Sequence, residues 1–266
     1  MPMEQPNQSL SNLKCLVTGA SSGIGKATCQ ILTKNGATVI GVGRNTTSLQ
    51  TLKNNSHIID YITADLTQPG ECERVITRGV EILGGQITTL VNCAGVLQGG
   101  AAGCATLDNY DFNMTVNARV PFEMMTHVVP FLKKHKGVAS IVTVSSVNGK
   151  QSFAGCVSYC MSKAAVDMMT RCASLDLAGD GIRVNAVNPG VVMTNLQKAG
   201  GMSDEAYNAF VERSIEVTHP LAKSLGRVGT PEEVGEVIAF LVSDKASFMT
   251  GECVTIDGGR QNLGAR

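Results

Sequence analysis

An apolar run, Cys15-Leu16-Val17, leads into Thr18-Gly19-Ala20-Ser21-Ser22-Gly23-Ile24-Gly25, and a helical pattern from Lys26 to Asn35 leaves it. Strand, glycine turn and helix in that order commit this part of the chain to a βα unit. Gly19 allows the tight turn out of the strand, Gly23 lets a backbone approach a pyrophosphate, and Gly25 lets the helix pack close to the sheet. N–H groups at the helix start, with Ser21, Ser22 and Ile24 around them, then face the phosphates of a dinucleotide. The spacing is G-x-x-x-G-x-G rather than the general G-x-G-x-x-G, so on its own the turn also fits an ordinary strand-to-helix connection.

Downstream, strand and helix patterns alternate. Ala37 to Gly43 is a β-branched run without polar alternation, as expected of a parallel strand buried on both faces. Further strands are expected at Ile58 to Ile62, Ile87 to Val91, Ala139 to Ser146, Ile182 to Val187 and Glu252 to Ile256. Between them lie a helical stretch from Asp108 to Lys136 interrupted around Pro121, a long helix within Phe153 to Ala178 ended by Gly181, and a last helix from Pro231 to Ser243 with Thr230 as N-cap. This alternation predicts an α/β, doubly wound fold: a seven-stranded parallel sheet with helices on both faces. At 266 residues one domain is favoured, with a cofactor-binding half over 12–110 and a catalytic half over 111–260. Residues 191–229, mixing Met193, Leu196, Met202, Tyr207 and Phe210 with polar residues, form the least regular segment and are expected to be a substrate lid.

Composition removes several partner classes. Lys plus Arg and Asp plus Glu number 22 each, so no global field attracts nucleic acid or an anionic membrane, and a small-molecule partner is the natural one. Nine cysteines without a C-x-x-C pair, and four dispersed histidines (His57, His127, His135, His219), give neither a disulfide framework nor metal-ligand spacing; no metal is expected. Residues 1–12 match no export signal and no apolar run approaches the ~20 residues that cross a bilayer, so a cytoplasmic location is expected.

Cofactor choice is legible beyond the second strand. Dinucleotide sites commonly place an acidic residue about 20 residues past the glycine turn, to accept the ribose 2′-OH. This chain has Gly43-Arg44-Asn45 there. A carboxylate would repel a 2′-phosphate, whereas the Arg44 fork can grip one, which points to NADP(H) over NAD(H). Asn45 adds a short polar side chain beside it and equally reads as a helix cap before Leu49.

Tyr159 and Lys163 stand four residues apart, on one helical face. A phenol of pKa near ~10 is a poor base at neutral pH, but a nearby ammonium and an oxidised nicotinamide both favour the phenolate. The pair is then a usable acid/base at a carbonyl or alcohol oxygen. With the glycine turn come Asn92-Cys93-Ala94-Gly95, Thr115-Val116-Asn117-Ala118, Ser146 thirteen residues before Tyr159, and Pro189-Gly190-Val191-Val192-Met193-Thr194. In this order they resemble the motifs of the short-chain dehydrogenase/reductase family, a Rossmann-type fold.

The resemblance implies a catalytic set of Asn117, Ser146, Tyr159 and Lys163. Ser146 would bond the substrate oxygen and share its developing charge, Lys163 would also hold the nicotinamide ribose, and Asn117 would hold a water that bridges to the lysine. It implies adenine contacts from Asp65 and Leu66, although Asp65 also fits a cap near Gln68. Asn92, Ala94 and Gly95 would form the cofactor turn, with Cys93 where the family has a second asparagine. Pro189, Gly190, Val192 and Thr194 would hold the carboxamide. The implied activity is NADP(H)-dependent hydride transfer between nicotinamide and a carbonyl or secondary alcohol, the substrate being a moderately hydrophobic ketone or 3-oxoacyl-type compound. A catalytically silent NADP(H)-binding sensor is the alternative, and the full catalytic set speaks against it. Asp180 precedes Gly181-Ile182 where reductases of carrier-bound substrates often have arginine, which weakens docking to an acidic carrier. A homotetramer is implied too, through the helices holding Asn117 and Tyr159, with Met124, Met125, Met168 and Met169 in surplus, and through the tail from Cys253 to Arg266. Cys156 and Cys160, which flank Tyr159, read as inert thiols.

Overall fold

The computed structural model describes residues 10–263 apart from 136 and 138. Residues 1–9 and 264–266, on which the readings of the amino terminus and part of the tail depend, lie outside the described residues. Seven strands form one parallel sheet among the described residues: β1 (Lys14–Thr18), β2 (Thr38–Gly43), β3 (Asp60–Thr63), β4 (Thr89–Asn92), β5 (Ala139–Val144), β6 (Ile182–Pro189) and β7 (Cys253–Ile256). The order is β3-β2-β1-β4-β5-β6-β7, the doubly wound arrangement expected. Alternation along each strand loads both faces. Leu16, Ile40, Val42, Leu90, Ile141 and Val184 pack against α3 (Glu71–Ile82), α5 (Val120–Leu132) and α6 (Val157–Ala178). Cys15, Val17, Val39, Val91, Val142 and Val187 pack against α1 (Gly23–Lys34), α2 (Thr46–Asn54) and α10 (Pro231–Val242). Thr230 caps α10 in a capping box with Glu233, as its sequence suggests.

Three local expectations change. The stretch from Asp108 is interrupted, but the break precedes Pro121: α4 (Leu107–Met114) runs into a π-helical turn, Thr115–Arg119, before α5. Pro121 has no N–H to return to the carbonyl four residues earlier, that of Asn117, and the helix widens there. The segment 191–229 is largely helical, with α7 (Leu196–Ala199), α8 (Asp204–Arg213), a second π turn (Ser214–Thr218) and α9 (Pro220–Leu225). No residue of α8 is fully buried; Tyr207, Phe210 and Val211 recur at helical spacing and form its half-buried side, a stripe of little more than one turn set among polar residues. Finally, Met124 and Met125 are not surplus: both lie in the core under α5, and Met169 is partly buried against the same core. Only Met168 of the four is exposed, and it shares the outer side of these helices with Phe112, Phe122, Met161 and Leu175.

The first turn is the tightest point of the fold. A Cβ on Gly25 would run into the backbone carbonyl of Gly19, which no side-chain rotation can relieve. Gly25→Ala is therefore expected to lower the melting temperature by roughly 2–10 °C, the range for about 1–3 kcal/mol of overpacking in a domain of this size. An unchanged Tm by calorimetry would show that the turn gives way without cost.

Candidate active site

The strand order reverses between β1 and β4, and in open α/β sheets the crevice outside the carboxyl ends at that point takes the ligand. Here the segments leaving β1, β4 and β6 converge. Gly19, at φ +67°, lies so close to the exit of β4 that a Cβ would stand 2.7 Å from the Ala94 nitrogen and 2.9 Å from the Cys93 carbonyl carbon. The Thr18 hydroxyl accepts the N–H groups of Cys93 and Ala94, each at 3.2 Å. Ser22 caps α1 in extended conformation without a side-chain bond, so the first N–H groups of the helix keep their direction toward the crevice. A Cβ on Gly23 would come within 3.2 Å of Thr194 Cγ2, which brings the loop after β6 over the start of α1. Gly43 closes on Ser21 Oγ in the same way, at 3.2 Å. These are spaces that ordinary side chains would fill, and they fit the backbone approach of a dinucleotide.

At the end of β2, Arg44 is exposed and Asn45 does cap α2, its Oδ1 accepting the Ser48 N–H at 3.0 Å. The Asp65 carboxylate accepts the hydroxyl and the N–H of Thr67 at 2.8 and 3.1 Å. Those bonds hold it below the usual carboxylate range, and the Arg44 charge adds to the effect, so Arg44 and Asp65 flank the same end of the crevice. Asp65 does not cap α3; Gly70 occupies that position in a left-handed conformation. Leu66 is buried in the core.

The other end of the crevice is polar and buried. Tyr159 and Lys163 occupy the first two turns of α6, with Lys163 Nζ 5.8 Å from the Tyr159 ring centre and donating to the Val144 carbonyl at 2.9 Å. Burial pushes the Tyr159 phenol up to about 12, against the downward pull of the Ser146 hydroxyl near it. Burial also pushes Lys163 down to about 8, opposed by the charge of Asp167 one turn further on. The lysine does not by itself hold Tyr159 as phenolate: the loss of solvation outweighs any attraction between them. Ser145 and Ser146 diverge as adjacent residues leaving a strand do. The Ser145 hydroxyl donates to the Lys163 carbonyl at 3.1 Å, while Ser146 Oγ accepts the Asn148 N–H at 3.1 Å.

Asn117 is 1% exposed, so it is no solvated helix residue. Its amide bonds both backbone groups of Val96, at 2.8 and 2.9 Å, and donates to the Ser162 hydroxyl at 3.0 Å. The π turn sets that angle. A Cβ on Gly95 would lie 3.3 Å from Asn117 Oδ1 and 3.6 Å from Lys163 Nζ, so the exit of β4, the π turn and α6 meet at one point. Ala94 and Asn92 complete that exit; Asn92 is buried and its Oδ1 has no partner among the described residues. Val192 is buried, its side chain packed in the core, and it is paired with Gly229 through an isolated parallel bridge.

Two members of this cluster carry no sequence motif. Asp167 is buried, and its carboxylate accepts from Asn188 Nδ2 at 2.9 and 3.0 Å; the same nitrogen donates to the Ser146 carbonyl at 2.8 Å. Gly149 permits the approach, since a Cβ there would stand 2.6 Å from Asp167 Oδ2. An acid four residues after Lys163 on the same helical face was the only available signal.

The comparisons with known proteins agree with this architecture. Residues 19–261 match the family model described as Enoyl-(Acyl carrier protein) reductase. Among curated proteins, the chain is 36% identical over 249 residues to the 3-oxoacyl-(acyl-carrier-protein) reductase of Thermotoga maritima, covering 92% of this chain and 96% of the relative. It is 32% identical over 256 residues to an L-xylulose reductase of Caenorhabditis elegans, covering 96% and 98%. Among solved structures, a short-chain dehydrogenase/reductase of Caenorhabditis elegans with cofactor superposes with a TM-score of 0.87 at 31% identity, over 97% of this chain and 98% of the other. The aldohexose dehydrogenase of Thermoplasma acidophilum follows with 0.85 at 28% identity, again over 97% and 98%. The chain belongs to the short-chain dehydrogenase/reductase family and is an oxidoreductase acting on CH–OH or C=O groups.

Proposed function

We propose that this chain is an NADP(H)-dependent reductase of a moderately hydrophobic ketone or 3-oxoacyl-type compound, and the corresponding alcohol dehydrogenase in reverse. The observation that carries this reading is the buried meeting of Tyr159, Lys163 and Ser146 beside the glycine turn. A bound nicotinamide would supply or take the hydride. The chain's own residues then have to manage one proton and one developing negative charge. A phenol held near 12 stays protonated at working pH, which suits it to donate to a carbonyl oxygen. As that proton leaves, the Ser146 hydroxyl and the Lys163 ammonium, charged below about pH 8, share the charge left behind. Asn117 would hold a water that bridges to Lys163 and lets protons reach solvent, so that Tyr159 can be reprotonated; its own amide is fixed by the Ser162 hydroxyl and the backbone of Val96.

The glycine turn from Gly19 to Gly25, with Asp65, Asn92, Ala94 and Gly95, would hold the adenosine and pyrophosphate, and residues 189–194 the carboxamide. Residues 191–229 would close over the substrate; the exposed Met193, Val217, Leu221 and Leu225 give that segment an apolar side. The names of the relatives span acyl thioesters and sugars. Asp180 before Gly181 is ion-paired with Lys133 at 2.7 Å, so this position offers an acidic carrier protein a neutralised pair instead of an arginine. We place the enzyme in the cytoplasm as a homotetramer, with Phe112, Phe122, Met161, Met168 and Leu175 in one interface and the final strand and tail from Cys253 in the other, joined by the exposed Phe240 and Phe248. Light scattering at micromolar concentration should return four chains; a monomer would overturn the assembly and a dimer would remove one interface.

Tyr159→Phe keeps the ring and removes the proton. Turnover in a carbonyl screen with NADPH should fall by roughly 10²- to 10⁴-fold, the usual contribution of general acid catalysis, with cofactor binding nearly intact. Retention of more than a tenth of the rate would exclude Tyr159 as the acid.

Cofactor preference tests Arg44. A charge-assisted fork on the 2′-phosphate is worth about 1.5–3 kcal/mol, or roughly a tenfold to hundredfold preference for NADP(H) in kcat/KM. Arg44→Ala should erase most of it, and Gly43→Asp together with Arg44→Ala should invert it. A wild type that prefers NADH, or an unchanged preference in Arg44→Ala, would leave Arg44 as a solvated surface residue.

A further inference from the structure

We propose that His219 is a positioning residue that pins the lid to the loop of residues 189–194, and that this loop holds the cofactor firmly only while the imidazole is uncharged. The inference rests on the reading of that loop as the carboxamide clamp. His219 belongs to no motif, and its isolation in the sequence gives it no metal partner. In the structure it is 3% exposed, at the junction of three segments: the exit of β6, the exit of β7 and the second π turn of the lid.

Its bonds fix its protonation. Nε2 accepts the Val191 N–H at 3.1 Å, so that nitrogen must present a lone pair. The proton then sits on Nδ1, which faces the Ser214 carbonyl at 3.2 Å and the Thr218 hydroxyl at 2.9 Å. The ring reaches this place because residue 190 is glycine: a Cβ there would stand 2.8 Å from Nε2 and 2.9 Å from the Asp257 Cα. On the lid side, the Leu221 N–H bonds the Gly258 carbonyl and holds the chain beyond His219 to the exit of β7. From Val191 the loop continues through paired contacts with Gly229 to Thr194, which touches the start of α1 at Gly23. The Val191 amide thus fixes the run to Val192 and Thr194 from the lid side, next to Gly190, whose N–H bonds the Ile256 carbonyl at 2.9 Å.

A second proton would put an N–H on Nε2 against the N–H of Val191, with no acceptor between them. The charged groups that bear on the ring come from the carboxyl-terminal turn, Arg260 and Asp257; the lid's own Ser214 and Thr218 and the β6 exit offer only neutral groups. Burial first, then the Arg260 charge, pushes His219 below its ordinary value, while the Ser214 carbonyl and Asp257 oppose the shift. The neutral form is therefore the folded form above that lowered value. The contribution is full above about pH 6.5, the ordinary histidine value, and is lost as pH falls through the lowered one.

The test is the dissociation constant for NADP⁺, measured by calorimetry from pH 8 to pH 5 on the wild type, His219→Gln, His219→Leu and Thr194→Ala, with kcat and KM alongside. Titration of the 2′-phosphate is common to all four proteins, so the comparison isolates His219. Gln can place an acceptor oxygen near the position of Nε2 and never gains a charge. His219→Gln should match the wild type at pH 8 and lack the extra acid weakening, which in the wild type approaches tenfold per pH unit. His219→Leu should bind at least about fivefold more weakly at pH 8, with the effect in cofactor KM before kcat, because a buried N–H is left unpaired. The inference is overturned if the Gln variant keeps the wild-type acid limb, or if the Leu variant binds like the wild type. Should the Leu variant not fold, the Gln and wild-type titrations decide. Thr194→Ala separates the two levels. Weakened binding there with silent His219 variants sinks only the role of His219, whereas unchanged binding in Thr194→Ala sinks the loop reading and this inference with it.

Discussion

The contact between the first turn and the exit of β4 is backbone against backbone, and the rest of the crevice depends on it. Gly19 and Gly25 carry no side chains because none would fit between the Gly19 carbonyl, the Ala94 nitrogen and the start of α1. That proximity aims the first N–H groups of α1 and brings Gly95 beside Asn117 and Lys163. Thr18 closes the arrangement by accepting two backbone N–H groups of the neighbouring strand exit. On the proposed reading a nucleotide and a proton-transfer group share one crevice, and that requires the chain segments behind them to be packed at this separation.

The Tyr159 end of the crevice shows the opposite economy, with polar groups buried in unusual density. Burying an ammonium is costly unless its donors are satisfied and a counter-charge is near. Lys163 has the Val144 carbonyl for the first need and the charge of Asp167 for the second. Asp167 is held by Asn188, which also holds the backbone of Ser146, so a change at the carboxylate is felt at the serine and the lysine together. Asn117 does similar service on the other side by satisfying both backbone groups of Val96. The shifts of Tyr159 and Lys163 follow from this burial more than from the attraction between them.

The π turn at Asn117 and the helices within residues 191–229 separate what pattern reading can and cannot see. Pro121 announced an interruption of the helix, because the missing N–H is a property of the residue itself. That the interruption would take the form of a π turn, and would aim the Asn117 amide at Val96, depends on where the exit of β4 runs. The helices within residues 191–229 escaped for a different reason. They are short, and the stripe of α8, Tyr207, Phe210 and Val211, spans little more than one turn and is only half-buried, too little to stand out from an irregular segment. Met124 and Met125 were misread in the converse way: the sequence displayed apolar residues without saying which side of the helix the sheet would cover.

Residue order alone sets the parallel sheet and the first turn, because these rest on local steric rules and on the requirement that the central strands, buried on both faces, be apolar throughout, a requirement the partly exposed β3 and β7 escape. It also determined the identities of the residues that meet in the crevice, since Tyr159, Lys163, Ser146, Asn117 and the glycines stand in motifs of fixed spacing. The charges and bonds of that meeting come from packing. The protonation of Tyr159 and Lys163, the carboxylate of Asp167 behind them, and the imidazole of His219 beneath Gly190 depend on solvent exclusion and on residues dozens of positions apart. Desolvation and long-range hydrogen bonds are properties of packing, and no spacing along a chain encodes them.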